Sequence, residues 1–280
     1  MAISMKVSIC GCGWLGKPLA VHLAQQGMAV WGSRQDPLSA NLLFADGIEG
    51  VALSLPTDLT AGPLGSRLMQ FFDTDVLVIN VPPGRKEDAD STLINNVMLL
   101  ARRARQNGCR RLIFISTTAV YGNVTGTVTE MTTPMPNTAS GKAHYQLEQQ
   151  LQAEWGDDAV ILRLAGLIGP GRNPVKFLSG REGIANGLDR VNLIHQYDCI
   201  AAVSRIIACW PGGAVLHLSA PEHPTREKYY CHMANLLELP APHFASSGDR
   251  NAKVVDATYT CQLLSLTLRY PLLMPLIPEL

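Results

Sequence analysis

Short apolar runs alternate with helical patterns through the first half of the chain. Val7–Cys10 is apolar and is followed by a helical pattern over Pro18–Gln26 that stops at Gly27. Ala29–Gly32 and Gly50–Leu55 predict two further strands, and Asp75–Val81 (D-V-L-V-I-N-V) is the clearest. A long helical segment, Ser91–Asn107, ends at Gly108. Arg111–Ser116 then reads as a strand, Ser140–Trp155 as a helix and Ala159–Leu164 as a strand. Strands that are apolar throughout, rather than at every second position, are covered on both faces. The pattern therefore predicts an α/β fold with a doubly wound parallel sheet. Ligand sites on such sheets lie beyond the carboxyl ends of the strands. Gly11–Gly16, Ser33–Arg34, Pro82–Arg85 and Ser116–Thr118 are expected to gather there.

After Leu164 the texture changes. Gly166–Asn173 (G-L-I-G-P-G-R-N) reads as loop, and glycine and proline recur. Two further segments look ordered, Val215–Ser219 as a strand and Arg226–Leu237 as a helix. The expected organisation is a sheet domain over 1–165 and a smaller C-terminal α/β lobe over 166–280, interleaved with the first.

Bulk properties narrow the function. The 280 residues carry 23 basic and 23 acidic side chains, so charge gives no case for nucleic acid or an anionic membrane. Seven scattered cysteines suit a reducing compartment rather than a disulfide framework. Cys10 and Cys12 have no second close pair and no nearby histidine, so no metal site is expected. No leader pattern or spanning apolar stretch is visible, and a cytoplasmic location is expected.

Ile9–Gly16 reads I-C-G-C-G-W-L-G, a G-x-G-x-x-G motif between a strand and a helix. This context brings backbone N–H groups and the positive helix end to one point, where a pyrophosphate binds without a cationic side chain. Gly11 allows the tight turn, Gly13 admits the phosphates and Gly16 lets the helix pack on the strand; Trp14 and Leu15 complete the turn. The chemistry predicted is dinucleotide binding. Binders of NAD usually hold the ribose hydroxyls with an acid at the end of the second strand. Here that strand ends Trp31-Gly32-Ser33-Arg34. Ser33 can donate a hydrogen bond and Arg34 can pair with a 2′-phosphate, which favours NADP and leaves NAD open. Val81, Pro82 and Pro83 are expected to line the adenine side, and Ser116 joins the cofactor set.

Phe114–Gly122 (F-I-S-T-T-A-V-Y-G) resembles the post-strand signature of the extended short-chain dehydrogenase/reductase superfamily, which includes many nucleotide-sugar epimerases. Ile161–Arg172, Asn192–Asp198 and Leu216–Thr225 resemble further segments of that superfamily, in its order. The resemblance implies a Rossmann fold and an active site joining Ser or Thr to Tyr-x-x-x-Lys. Anchored on Pro136, Gly141 and Glu148, the tyrosine position is Ser140 and the lysine position is His144, with Thr117 at the Ser/Thr position. Tyr145 precedes Gln149 by four and lies about 100° around the helix from His144, so it does not restore the pair. This is the pattern of an atypical subgroup that lacks the tyrosine and lysine.

The resemblance implies an NADP-dependent oxidoreductase or epimerase-like enzyme acting on a small polar, nucleotide-sugar-like substrate. Thr117 would orient the substrate oxygen, while His144 or water, beside Ser140, would handle the proton. Arg172, on its Gly-Pro-Gly loop, is the candidate for an anionic substrate group. Tyr121, and His195 with Asp198, read as structural. Arg163 reads as either facing the cleft or buried and paired. A non-enzymatic, cofactor-binding regulatory or redox-sensing protein is the alternative. Arg102, Arg103, Arg105, Arg110 and Arg111 form a basic run on the helix and turn before the fifth strand and read as a solvated face; the family often dimerises through this helix and the next, so both monomer and homodimer stand.

Overall fold

A computed structural model of the chain describes residues 4–60, 62–82, 89–245 and 252–279. They fall into two compact units. The first runs to Ser116 and adds Ala139–Leu162 and Ile206–Val215; the second takes Thr117–Thr138, Arg163–Arg205 and the chain from Leu216. The elements begin β1 (Lys6–Cys10), α1 (Gly16–Gln25), β2 (Ala29–Arg34), α2 (Pro37–Asn41), β3 (Glu49–Ala52), α3 (Thr57–Thr60), α4 (Ser66–Phe72), β4 (Val76–Ile79), α5 (Ala89–Gln106), β5 (Arg111–Thr117). They continue β6 (Gly126–Val128), α6 (Ala139–Trp155), β7 (Ala159–Leu164), β8 (Gly166–Ile168), α7 (Val175–Leu178), β9 (Leu193–His195), α8 (Gln196–Cys209), β10 (Val215–Leu218), α9 (Arg226–Leu236), β11 (Lys253–Val255), α10 (Thr258–Leu263).

Seven strands form one parallel sheet in the order β10-β7-β5-β4-β1-β2-β3. The winding reverses between β1 and β4, where Cys10 lies opposite Ile79. That reversal leaves a crevice beyond the ends of both strands. Every residue of β4 and β7 is buried, as continuous apolar runs require. In the first unit, Phe71 and Phe72 of α4 pack with Leu77, Val97, Phe114, Leu147 and Ile161. Helix α4 has only seven residues, too few to show a helical period in the sequence.

The second unit is built differently. Its strands pair as β6 with β11 and β8 with β9, all three residues long. Gly166–Ile168, expected as loop, is strand β8 and lies in register with Leu193–His195. Three residues in a glycine-rich stretch carry no readable period. Helix α8 was also not foreseen, although Cys199, Ile200, Ala202, Val203, Ile206 and Ile207 are buried at helical spacing. Strand β9 runs straight into it with no loop between, and the start is capped by His195, whose Nδ1 accepts the Tyr197 N–H, rather than by Ser, Thr, Asp or Asn. No described helix is long and apolar enough to cross a membrane.

Candidate functional site

The glycine turn sits at the reversal of the sheet. Gly11 has φ +99°, and a Cβ there would stand 2.3 Å from the Asn80 carbonyl oxygen. A Cβ on Gly16 would meet the Gly11 oxygen at 2.2 Å, so helix, turn and β4 close on one another. At Gly13 a Cβ would meet nothing within 4 Å: this glycine faces open space. Asn80 ties the two strand ends together, its Nδ2 donating to the Gly11 oxygen at 3.2 Å and its N–H to the Cys10 oxygen at 2.9 Å. No side chain caps α1 and no acid stands in its first turn. Backbone, not charge, builds the cradle, and an anion is the ligand it suits. Leu15 is buried and Trp14 half-buried in the same turn. The thiols of Cys10 and Cys12 are buried and pushed up to about 12 by desolvation, which makes them inert fillers here.

The end of β2 braces this turn. The Ser33 carbonyl accepts the Cys12 N–H at 2.9 Å and the Ser33 hydroxyl oxygen accepts the Gly11 N–H at 3.0 Å. Arg34 is half-buried, and its Nε is sealed from solvent with no hydrogen-bond partner. Asp36 is the first acid after β2 along the chain, and its carboxylate caps α2 by accepting the Ser39 N–H at 2.8 Å. That hydrogen bond holds Asp36 below its ordinary value. Val81 is half-buried and Pro82 exposed just past β4, while Pro83 lies outside the described residues.

The ends of β5 and α6 carry the proton-handling candidates. The Thr117 oxygen accepts the Ala119 N–H at 3.1 Å, so its hydroxyl hydrogen is left to donate elsewhere. The Ser116 hydroxyl donates to Glu148 Oε1 at 2.5 Å, both residues being buried. Sequence reasoning used Glu148 only as an alignment anchor. His144 is buried beneath the end of β5, its ring stacked on Phe114 at 6.0 Å. Its Nδ1 lies 2.8 Å from the Ser140 carbonyl oxygen and 3.5 Å from the Ser140 hydroxyl. A carbonyl can only accept, so Nδ1 donates and the neutral ring keeps its lone pair on Nε2. Lys142 is exposed and Tyr145 half-buried.

Within the second unit, Arg163 is buried and paired. Its guanidinium stacks 5.0 Å from the Tyr121 ring and donates to the Tyr121 oxygen at 3.0 Å. That leaves the Tyr121 hydrogen for His217 Nδ1, 2.9 Å away, and the His217 Nε2–H for the Asp256 oxygen at 2.8 Å. Asp198 is fully buried and accepts two main-chain N–H groups, from Arg269 at 2.7 Å and Tyr270 at 3.1 Å. Arg172 and His195 line a pocket together. No cluster of His, Cys, Asp or Glu among the described residues is arranged to hold a metal.

A doubly wound sheet with a glycine cradle at its reversal defines a dinucleotide-fold protein. Residues 8–208 match the NAD dependent epimerase/dehydratase family, and the chain belongs to it. Protein YeeZ of Escherichia coli K12 is 37% identical over 274 residues, covering 97% of this chain and 99% of that protein. A functionally unknown conserved protein from Silicibacter pomeroyi DSS superposes with TM-score 0.74 at 26% identity, covering 97% of this chain and 96% of that one. UDP-glucuronic acid 4-epimerase from Bacillus cereus, in complex with NAD, gives TM-score 0.74 at 20% identity over 94% and 92% of the two chains.

Proposed function

We propose that this protein is a nicotinamide-dependent oxidoreductase or epimerase-like enzyme that prefers NADP and acts on a small polar, nucleotide-sugar-like substrate. The observation carrying this reading is the cradle at Gly11–Gly16, in which the one glycine facing open space is the one the pyrophosphate must approach. The NAD complex of the Bacillus cereus epimerase supports the cofactor class. The half-buried Arg34 guanidinium at the end of β2 and the engagement of Asp36 in a cap favour a 2′-phosphate over free ribose hydroxyls.

When bound, the nicotinamide supplies the hydride acceptor or donor. Thr117, whose oxygen already accepts a backbone N–H, directs its hydroxyl hydrogen to a substrate oxygen. His144, fixed through Nδ1 by the Ser140 carbonyl, offers Nε2 to take or return the proton, directly or through water. Arg172 holds an anionic group of the substrate. Ser140 and His144 stand where the superfamily resemblance implies tyrosine and lysine, and this favours cofactor sensing without turnover as the second reading.

Fluorescence titration with NADPH and NADH tests the first step. Micromolar binding with NADPH at least tenfold tighter is expected, and Arg34→Ala should remove the preference. Equal affinities would refute the NADP assignment, and no binding would refute both readings. Turnover of any substrate would refute the sensor, and unchanged rates in Thr117→Val and His144→Phe would then refute the roles given to those two residues.

A further inference from the structure

Arg172 lines a pocket of about 70 Å³ together with Asn173, His195, Tyr229 and the stretch Leu276–Glu279. The stretch Leu276–Glu279 forms part of the wall beside Arg172, so its position bounds what can enter there. The pocket's own donors nevertheless suit an anion. The Tyr197 N–H donates to His195 Nδ1 at 3.2 Å, so the neutral ring carries its hydrogen on Nε2. Burial pulls His195 below its ordinary value and the Glu279 carboxylate opposes that effect; Glu279 itself is an exposed residue that lines the same pocket.

The segment ending in Glu279 is held unequally along its length. Its base is anchored by two carboxylates, each taking two consecutive backbone N–H groups. Asp198 accepts from Arg269 and Tyr270, and Glu222 Oε2 accepts from Leu273 and, at 2.9 Å, from Met274. His232 adds a bond of 2.9 Å to the Met274 oxygen, and the Leu273 side chain is wholly buried against the core of Tyr229, Tyr230 and Met233. Past Met274 the anchors are fewer: Leu276 packs against the edge of the same core and its N–H reaches the Leu273 oxygen at 3.3 Å. Ile277 is 74% exposed, and the bond seen at the tip runs from the Gly171 N–H to the Glu279 oxygen at 3.0 Å.

We propose that residues 275–279 are a flap that sits in an anion subsite formed by Arg172 and His195, and that a diphosphate-bearing ligand competes with Glu279 for it. The proposal rests on the reading of Arg172 as the holder of a substrate anion. Its base, clamped by Asp198 and Glu222, stays fixed while the tip swings. Inorganic diphosphate is the probe, measured by calorimetry on the full chain, on a chain ended after Met274, and on each with Arg172→Ala. Ending the chain there keeps both carboxylate clamps.

Removing the tip should tighten diphosphate binding about tenfold, the gain expected if the flap is closed nine-tenths of the time. Arg172→Ala should weaken binding in both backgrounds. Equal affinity with and without the tip, with Arg172→Ala still weakening both, overturns the flap and leaves the Arg172 reading intact. Indifference to Arg172→Ala overturns that reading itself. Hydrogen exchange on the full-length protein gives an independent check. Saturating diphosphate should expose the Gly171 amide, and Pro278→Gly should speed its exchange before any ligand is added. Unchanged protection in both cases overturns the flap.

Discussion

The two units meet the same requirement, pairing every buried backbone group, by opposite means. In the first, long strands and helices pair their own main chain, and apolar side chains fill the layers between. In the second, strands of three residues leave N–H and C=O groups over, and side chains distant in sequence take them up. Glu130 accepts from the Thr260 N–H at 3.1 Å and the Thr260 hydroxyl at 2.5 Å. Asn192 donates to the Lys253 oxygen at 3.0 Å and accepts the Val255 N–H at 2.8 Å. Lys253 reaches the Gly122 oxygen at 2.8 Å, and Arg205 the Leu264 oxygen at 2.7 Å. The layered unit has such bonds too, as from the Ser8 hydroxyl to the Phe71 oxygen at 2.6 Å, but its large apolar core carries more of its stability. A unit stitched by side chains stands or falls with each buried one, because removal strands its partners in a dry interior.

The largest expected difference follows from that contrast. Asp198→Ala strands the N–H groups of Arg269 and Tyr270, at roughly 1–3 kcal/mol for each group left unsatisfied. A loss of about 3 kcal/mol is expected, seen as a lower urea midpoint for probes in the second unit. Cofactor binding at Gly11–Gly16 should survive it in native buffer. Loss of cofactor binding in step with the second unit would break the comparison.

Acid provides a second separation. Burial pulls His195, His217 and His223 of the second unit below the ordinary value of 6.5, as it does His22 of the first. At His217, the Asp256 bond and Glu130 favour the charged form while Arg163 opposes it, and burial outweighs them. For a base with a depressed folded value, the unfolded chain takes up protons first. Stability is therefore complete above about pH 6.5 and falls as pH drops toward the folded values. The second unit should weaken more between pH 7 and 5 than the first, as read by urea midpoints. His217→Gln can still accept from Tyr121 and donate to Asp256, but it does not titrate. It should flatten part of the acid loss, and an unchanged acid slope would remove His217 from this account.

How much was legible in the sequence follows the same division. Strands β1, β4, β5 and β7 and helices α5 and α6 show as apolar periodicity because each buries a continuous surface. The glycine turn shows because only glycine accepts the φ of Gly11 and the crowding at Gly16. The surroundings of the site did not show. That Ser116 would engage Glu148, or that Asp36 would cap α2, depends on which of several neighbours a small polar group finds. In the second unit α9 and β10 were legible over Arg226–Leu237 and Val215–Ser219, but the three-residue strands were not. Asp198 and Glu222 carry no local signal that their partners lie 71 and 51 residues away at Arg269 and Leu273.

The smallest expected effect tests the tolerant side of the comparison. In the first unit Arg67 pairs with Glu49 at 3.2 Å, both side chains about half exposed. An exposed pair of this kind contributes roughly 0–1 kcal/mol. Glu49→Gln should therefore change stability by less than about 0.5 kcal/mol. Arg67 has other attachments, however. Its guanidinium stacks 5.2 Å from Trp31 and 5.3 Å from Phe44, and it donates to the Gly50 oxygen at 2.8 Å. Arg67→Ala should cost more, about 1 kcal/mol, through lost stacking and packing rather than lost charge. The double variant should then match Arg67→Ala alone, in 1 M salt as in dilute buffer. A coupling above about 1 kcal/mol that salt abolishes would show that the first unit too depends on a specific polar contact.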